Sequence, residues 1–135
     1  MKNGILALAG FALTVSGFAA APAYAAPTAA EKGQARLAKM IEGRVAGTPV
    51  KCVSAMNGNK IEVIDETAVI YDAGKTIYVA RPINPRMLDK QDVLVTKRTG
   101  SQFCVNDSMR MVDRVNGFTT SVVFLEDFVP YTKEG

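Results

Sequence analysis

The sequence predicts a mainly β domain of the α+β class: one N-terminal amphipathic helix, then a strongly bent antiparallel sheet or a partly closed small barrel of 6–8 short strands. Three observations carry that reading. The stretch "TAAEKGQARLAKMIEG" places Leu37, Met40 and Ile41 at i, i+3 and i+4, the spacing of one helix face. Beyond "RVAGTPV" the pattern changes to short β-branched runs broken by Gly, Asn, Asp and Pro, the mark of strands joined by tight turns. Strands do not alternate with helices, so a doubly wound parallel sheet is excluded.

The chain has 135 residues, about one domain's length, and its first 25 are set apart. "MKNGILALAGFALTVSGFAAAPAYA" has an early Lys2, an apolar run from Ile5 to about Ala21, and the small-x-small site Ala23-Tyr24-Ala25, the layout of a secretory signal peptide. Cleavage is expected between Ala25 and Ala26, because the alternative after Ala21 places Pro22 just beyond the scissile bond, where its missing N–H and fixed φ fit a protease poorly. A transmembrane anchor is the alternative, but the run is rich in Ala and Gly and no cationic cluster follows it directly. The sequence therefore divides into a signal peptide (1–25), a lead and helix (26–43) and an antiparallel β region (44–135), with 26–135 as one globular domain. The expected product is soluble and periplasmic, with no stable membrane anchor after cleavage.

Of 16 basic residues, Lys2 falls in the leader, leaving 15 against 13 acids and a net charge of +2. The basic residues are scattered, with Lys97-Arg98 the one adjacent pair, so no stripe that would follow a nucleic-acid backbone is present.

Thr28 and Glu31 form a capping box, in which the hydroxyl and the carboxylate satisfy the first orphan backbone donors. Gly43 stands where a left-handed residue ends a helix, giving a helix at about 29–42 whose narrow apolar stripe needs a sheet to cover. Gly33 costs it about 1 kcal/mol relative to Ala. Strands are expected at about 50–56, 61–65, 68–72, 76–81, 93–97, 101–105, 109–114 and 119–124. Hairpin turns fall at "NGN" (57–59), "AGK" (73–75) and "VNG" (115–117), since Asn and Gly accept positive φ. Residues 82–92 hold two prolines and cannot be a central strand. The final "VVFLEDFVPYT" supplies Val122, Phe124, Leu125, Phe128 and Tyr131, enough bulk to plug an open end of the sheet.

Cys52 and Cys104 are the two cysteines. Export to an oxidising compartment makes a disulfide between them the default, and closing a loop of about 50 residues gives roughly 4 kcal/mol in the chain-entropy view. A thiol-redox role is the alternative, but there is no C-x-x-C spacing and no His to activate a thiolate,. A metal site would need carboxylates to complete it.

The order "PVKCV", "IEVIDETAVIYDAGKTIYV", "GSQFCVND" with "MVDR", and "LEDFVPYT" resembles a family of small exported proteins of Gram-negative bacteria, a domain of unknown function. The resemblance runs from Pro49 to Thr132. It implies an exported, β-rich domain and brings no activity and no catalytic residues; some members carry extra cysteines that this chain lacks.

The catalytic inventory is thin. With no His, a Ser-His-Asp triad is excluded,, and no Walker or G-x-G-x-x-G loop is present,. Asp65, Glu66 and Asp72 flank one predicted strand and would serve a carboxylate-dependent glycan or peptidoglycan hydrolase if they converged; Asp65-Glu66-Thr67 is more simply a turn. Asp107, Asp113, Glu126 and Asp127 form a second acidic set without EF-hand spacing,. No cofactor and no metal site is predicted. Asp113-Arg114 suits a strand end where a carboxylate accepts from the next turn's N–H groups. Tyr71 and Tyr78 are expected as cross-strand neighbours, either as an exposed aromatic patch or as ordinary packing. Asp113, Arg114, Tyr71 and Tyr78 are the candidate ligand-site residues. The leading expectation is a non-catalytic exported domain that binds a protein, an envelope component or a small ligand.

Overall fold

Thr28 opens the helix as its spacing predicts. In the computed structural model, which describes residues 17, 20–55 and 60–135, the Glu31 N–H donates to Thr28 Oγ1 (3.2 Å) and the Thr28 N–H donates to Glu31 Oε2 (2.7 Å). The helix α1 spans Ala29–Ile41. Gly43, at φ +70°, turns the chain, and Arg44 reaches back to donate from Nε to the Met40 carbonyl, one of the orphan acceptors of the last turn (3.1 Å),. Most of the predicted leader and the 57–59 turn lie outside the described residues. Ala23, Ala25 and Ala26 lie in an exposed segment without helix or strand, and no helix of the described residues is long and apolar enough to cross a membrane.

Ten strands follow: β1 (Arg44–Ala46), β2 (Cys52–Ser54), β3 (Lys60–Ile64), β4 (Ala68–Asp72), β5 (Thr76–Ala80), β6 (Val93–Lys97), β7 (Gln102–Cys104), β8 (Ser108–Val112), β9 (Thr119–Val123) and β10 (Val129–Lys133). They form three antiparallel sheets, β1-β10-β5-β4-β3, β2-β7 and β6-β8-β9, and among the described residues none closes into a barrel. β1 and β10 are additions to the expected set. Two of the three expected tight turns fall among the described residues, and both are where the sequence puts them. Gly74 (φ +85°) closes β4 to β5 with its N–H donating to Asp72 Oδ1, and Gly117 (φ +75°) closes β8 to β9. The segment 82–92 holds one short 3-10 helix, Pro85–Met87, and no strand.

The five-stranded sheet is covered on both faces. Alternation along β4 sends Ala68 and Ile70 towards α1, where they join Leu37, Ile64, Ile77 and Val79 in one core. It sends Val69 and Tyr71 to the other side, against Phe103, Met109, Met111, Val123 and Phe128 of the two smaller sheets and the final connection. That explains the unbroken apolar run Ala68–Tyr71, since a strand buried on both faces has no polar side to show. The helix comes close at Gly33: a Cβ there would lie 2.0 Å from Thr67 Oγ1 and 2.5 Å from the Asp65 carbonyl oxygen.

The C-terminal segment corrects the expectation of a plug. Leu125 and Phe128 are buried, but residues 129–133 are a strand set between β1 and β5. Period-2 alternation along β9 turns Val123 inward and Val122 outward, and Phe124 follows Val122 to the surface,.

Candidate functional site

Cys52 and Cys104 are opposite one another in the β2–β7 register and are bonded, Sγ to Sγ, with Cα atoms 4.0 Å apart. The neighbouring Lys51 carbonyl accepts from the Val105 N–H, so the cysteine pair occupies a close, non-hydrogen-bonded rung. The Cys104 N–H is therefore free to donate to Asp107 Oδ2 (2.9 Å), and Asn106-Asp107 lies in the turn between β7 and β8. The bridge joins two short strands beside Val53 and Phe103 in the core, and no cysteine thiol is left free.

The predicted acids do not converge. Asp65 and Glu66 lie in the β3–β4 turn and Asp72 at the far end of β4. Asp107 and Asp113 flank opposite ends of β8, and Asp127 pairs with Lys51 at 3.1 Å on the surface. Among the described residues no group of three or more Cys, Asp or Glu is placed to hold a metal ion. Asp113 accepts from the N–H groups of Asn116 (3.0 Å) and Val115 (2.7 Å), and those two donors hold its carboxyl below its ordinary pKa,. Tyr71 and Tyr78 are register partners with ring centroids 6.2 Å apart. Tyr71 is buried, its hydroxyl donating to the Ser54 carbonyl (2.6 Å), so the pair is core packing and not an exposed patch. Of the four candidate ligand-site residues, Arg114 alone is exposed.

Two concave surfaces stand out, and they share no residue. The first is an apolar cradle of about 540 Å³ in which Val105 and Leu125 meet Ile83, Val122 and Phe124. These last three are 70%, 52% and 65% exposed. Pro82 bridges to Leu125 and the Ile83 N–H donates to the Phe124 carbonyl (2.9 Å), so the cradle's two sides are held by backbone bonds. Asn106, Asp107 and Ser108 give it a polar rim. Sequence reading placed Val122 and Phe124 inside; the alternation Ser121-Val122-Val123-Phe124 was the signal that two of them face out.

The second is a groove of about 360 Å³ lined by Ile61, Glu62 and Val63 from β3 and by Val93, Leu94 and Thr96 from β6. Consecutive residues of a strand point to opposite faces, so Ile61–Val63 can line one groove together only along the strand's edge. β3 and β6 are the terminal strands of their sheets, and each turns a row of backbone donors and acceptors away from its single neighbour. Lys90, Asp92 and Arg114 complete the lining.

No family model, curated protein or solved structure matches the chain.

Proposed function

We propose that the protein is an exported, non-catalytic binding domain, freed from its leader after Ala25, which engages a protein partner in the periplasm through the Ile83–Val122–Phe124 cradle. The observation that carries the reading is the joint exposure of these three large apolar side chains around one concavity. A monomeric domain rarely leaves contiguous apolar surface without a use. An aromatic residue beside a pocket with a polar rim is also the usual anatomy of a binding hot spot. The cross-strand disulfide supports the oxidising destination,. A contact of this kind needs no cofactor, metal or nucleic acid.

The test combines processing with capture. The tagged protein is recovered from periplasm, its N-terminus sequenced, and its bound proteins quantified beside those of Phe124→Ser, a substitution at an exposed position. The expected results are an N-terminus at Ala26 and a loss of about tenfold or more of the specific partner with the variant. A protein that keeps its leader in the membrane, or a capture profile unchanged by Phe124→Ser, overturns the proposal.

A further inference from the structure

We infer that the groove between the open edges of β3 and β6 is a second binding site, which takes an acidic peptide segment in extended conformation as an added strand. The backbone supplies the first half of the argument. An extended peptide laid along either edge would pair with backbone groups that no neighbouring strand uses. Its alternate side chains would meet the exposed Ile61 and Val93. Thr96 of β6 also lines the groove.

Charge supplies the other half and chooses the occupant. The two acids of the groove are already engaged: Glu62 is ion-paired with Arg36, and Asp92 accepts from the Thr120 hydroxyl. The cations are not. Lys90 and Arg114 line the groove, Lys60 begins β3, Lys97 and Arg98 stand at and just beyond the end of β6, and Arg110 lies in the middle of its β8 partner, opposite Val95. Among the described residues none of these six has a carboxylate partner. An acidic segment would neutralise them, whereas a second copy pairing edge to edge would bring these like charges together, which is unfavourable. The site is independent of the Phe124 cradle and stands or falls without it.

The probe is a fluorescein-labelled octapeptide of alternating Val and Glu, compared by anisotropy with its Val-Lys counterpart and with a Val-Glu peptide N-methylated at alternate residues. The purified protein should bind the Val-Glu peptide at least about tenfold more tightly than either control, with affinity falling as salt is raised. The double variant Lys90→Glu/Arg114→Glu changes two exposed side chains and should invert the preference towards Val-Lys. Equal binding of the N-methylated peptide would reduce the effect to charge alone and overturn the strand-addition claim. Equal affinity for the Val-Glu and Val-Lys peptides would overturn the acidic partner. So would a protein dimer, seen by sedimentation, that the double variant dissociates, because a second copy would then fill the groove.

Discussion

Replacing Gly33 by Ala tests whether the helix is pressed onto the sheet at the β3–β4 turn. In an isolated helix the change is favourable by about 1 kcal/mol. Here the new Cβ would stand 2.0 Å from Thr67 Oγ1 and 2.5 Å from the Asp65 carbonyl oxygen, where ordinary contact needs about 3.5 Å. A hydroxyl can rotate away; the backbone oxygen cannot without dragging the turn. Relief therefore requires α1 to withdraw by roughly 1 Å, which loosens Leu37 against Ile64 and Ile70. Such overpacking costs about 1–3 kcal/mol. Displacing Thr67 adds about 1 kcal/mol for its hydroxyl bond to the Asp65 carbonyl (2.7 Å),. Against the propensity gain, the net expectation is a loss of about 2 kcal/mol, or about 10 °C in Tm for a domain of this size. Urea and thermal unfolding followed by far-UV circular dichroism measure it. In a Thr67→Ala background the penalty should shrink by about 1 kcal/mol and not vanish, because the Asp65 oxygen remains. Gly33→Ala proteins as stable as the parent, or more so, would refute the close approach.

Other perturbations probe the remaining contacts. Cys52→Ser should lower stability by about 2–5 kcal/mol, and mass spectrometry without reductant should find one Cys52–Cys104 cross-linked peptide in the parent; an alkylatable native thiol contradicts the bond. Thr28→Ala should cost about 1 kcal/mol through loss of the first-turn acceptor, read as a shift in the urea midpoint at constant slope. Because the folded pKa of Asp113 is depressed, the stability it lends is complete above its unfolded value and is lost as pH falls through the folded value. Asp113→Asn should therefore flatten the acid limb of the stability curve below about pH 4 and leave its slope at neutral pH unchanged, which acid titrations of Tm will show.

What the sequence made legible were the local signals. The Thr28–Glu31 box set the start of α1, and Gly74 and Gly117 fixed two hairpins, because each acts within four residues of itself. β1 was missed because "RVA" is too short to alternate, and β10 because Pro130 argues against a strand with neighbours on both sides. The geometry shows why proline is tolerated there. The Pro130 carbonyl accepts from the Gly47 N–H (2.7 Å), and a strand residue's donor and acceptor point the same way. Its missing N–H thus faces the β1 side at the strand's end, and pairing with β5 loses nothing. The β3–β6 groove could not be read at all, since which strands end as edges depends on the order β1-β10-β5-β4-β3, a property of the whole sheet and of no single segment. The outward turn of Phe124 was legible from alternation and was overridden by the apparent apolar bulk of the segment.

The position of β10 has a consequence for biogenesis. Among the described residues β1 pairs with the five-stranded sheet only through β10, so the strand that starts the β region waits for the strand made last. Until residues 129–133 emerge, β1 has no strand to pair with and the β5 edge stays open. The helix and the β3–β5 meander can pair early from local contacts, but the sheet is completed only by contacts spanning most of the chain, which are slow to form. The Cys52–Cys104 rung needs no residue beyond β7, so it can form in a chain whose last strand has yet to pair.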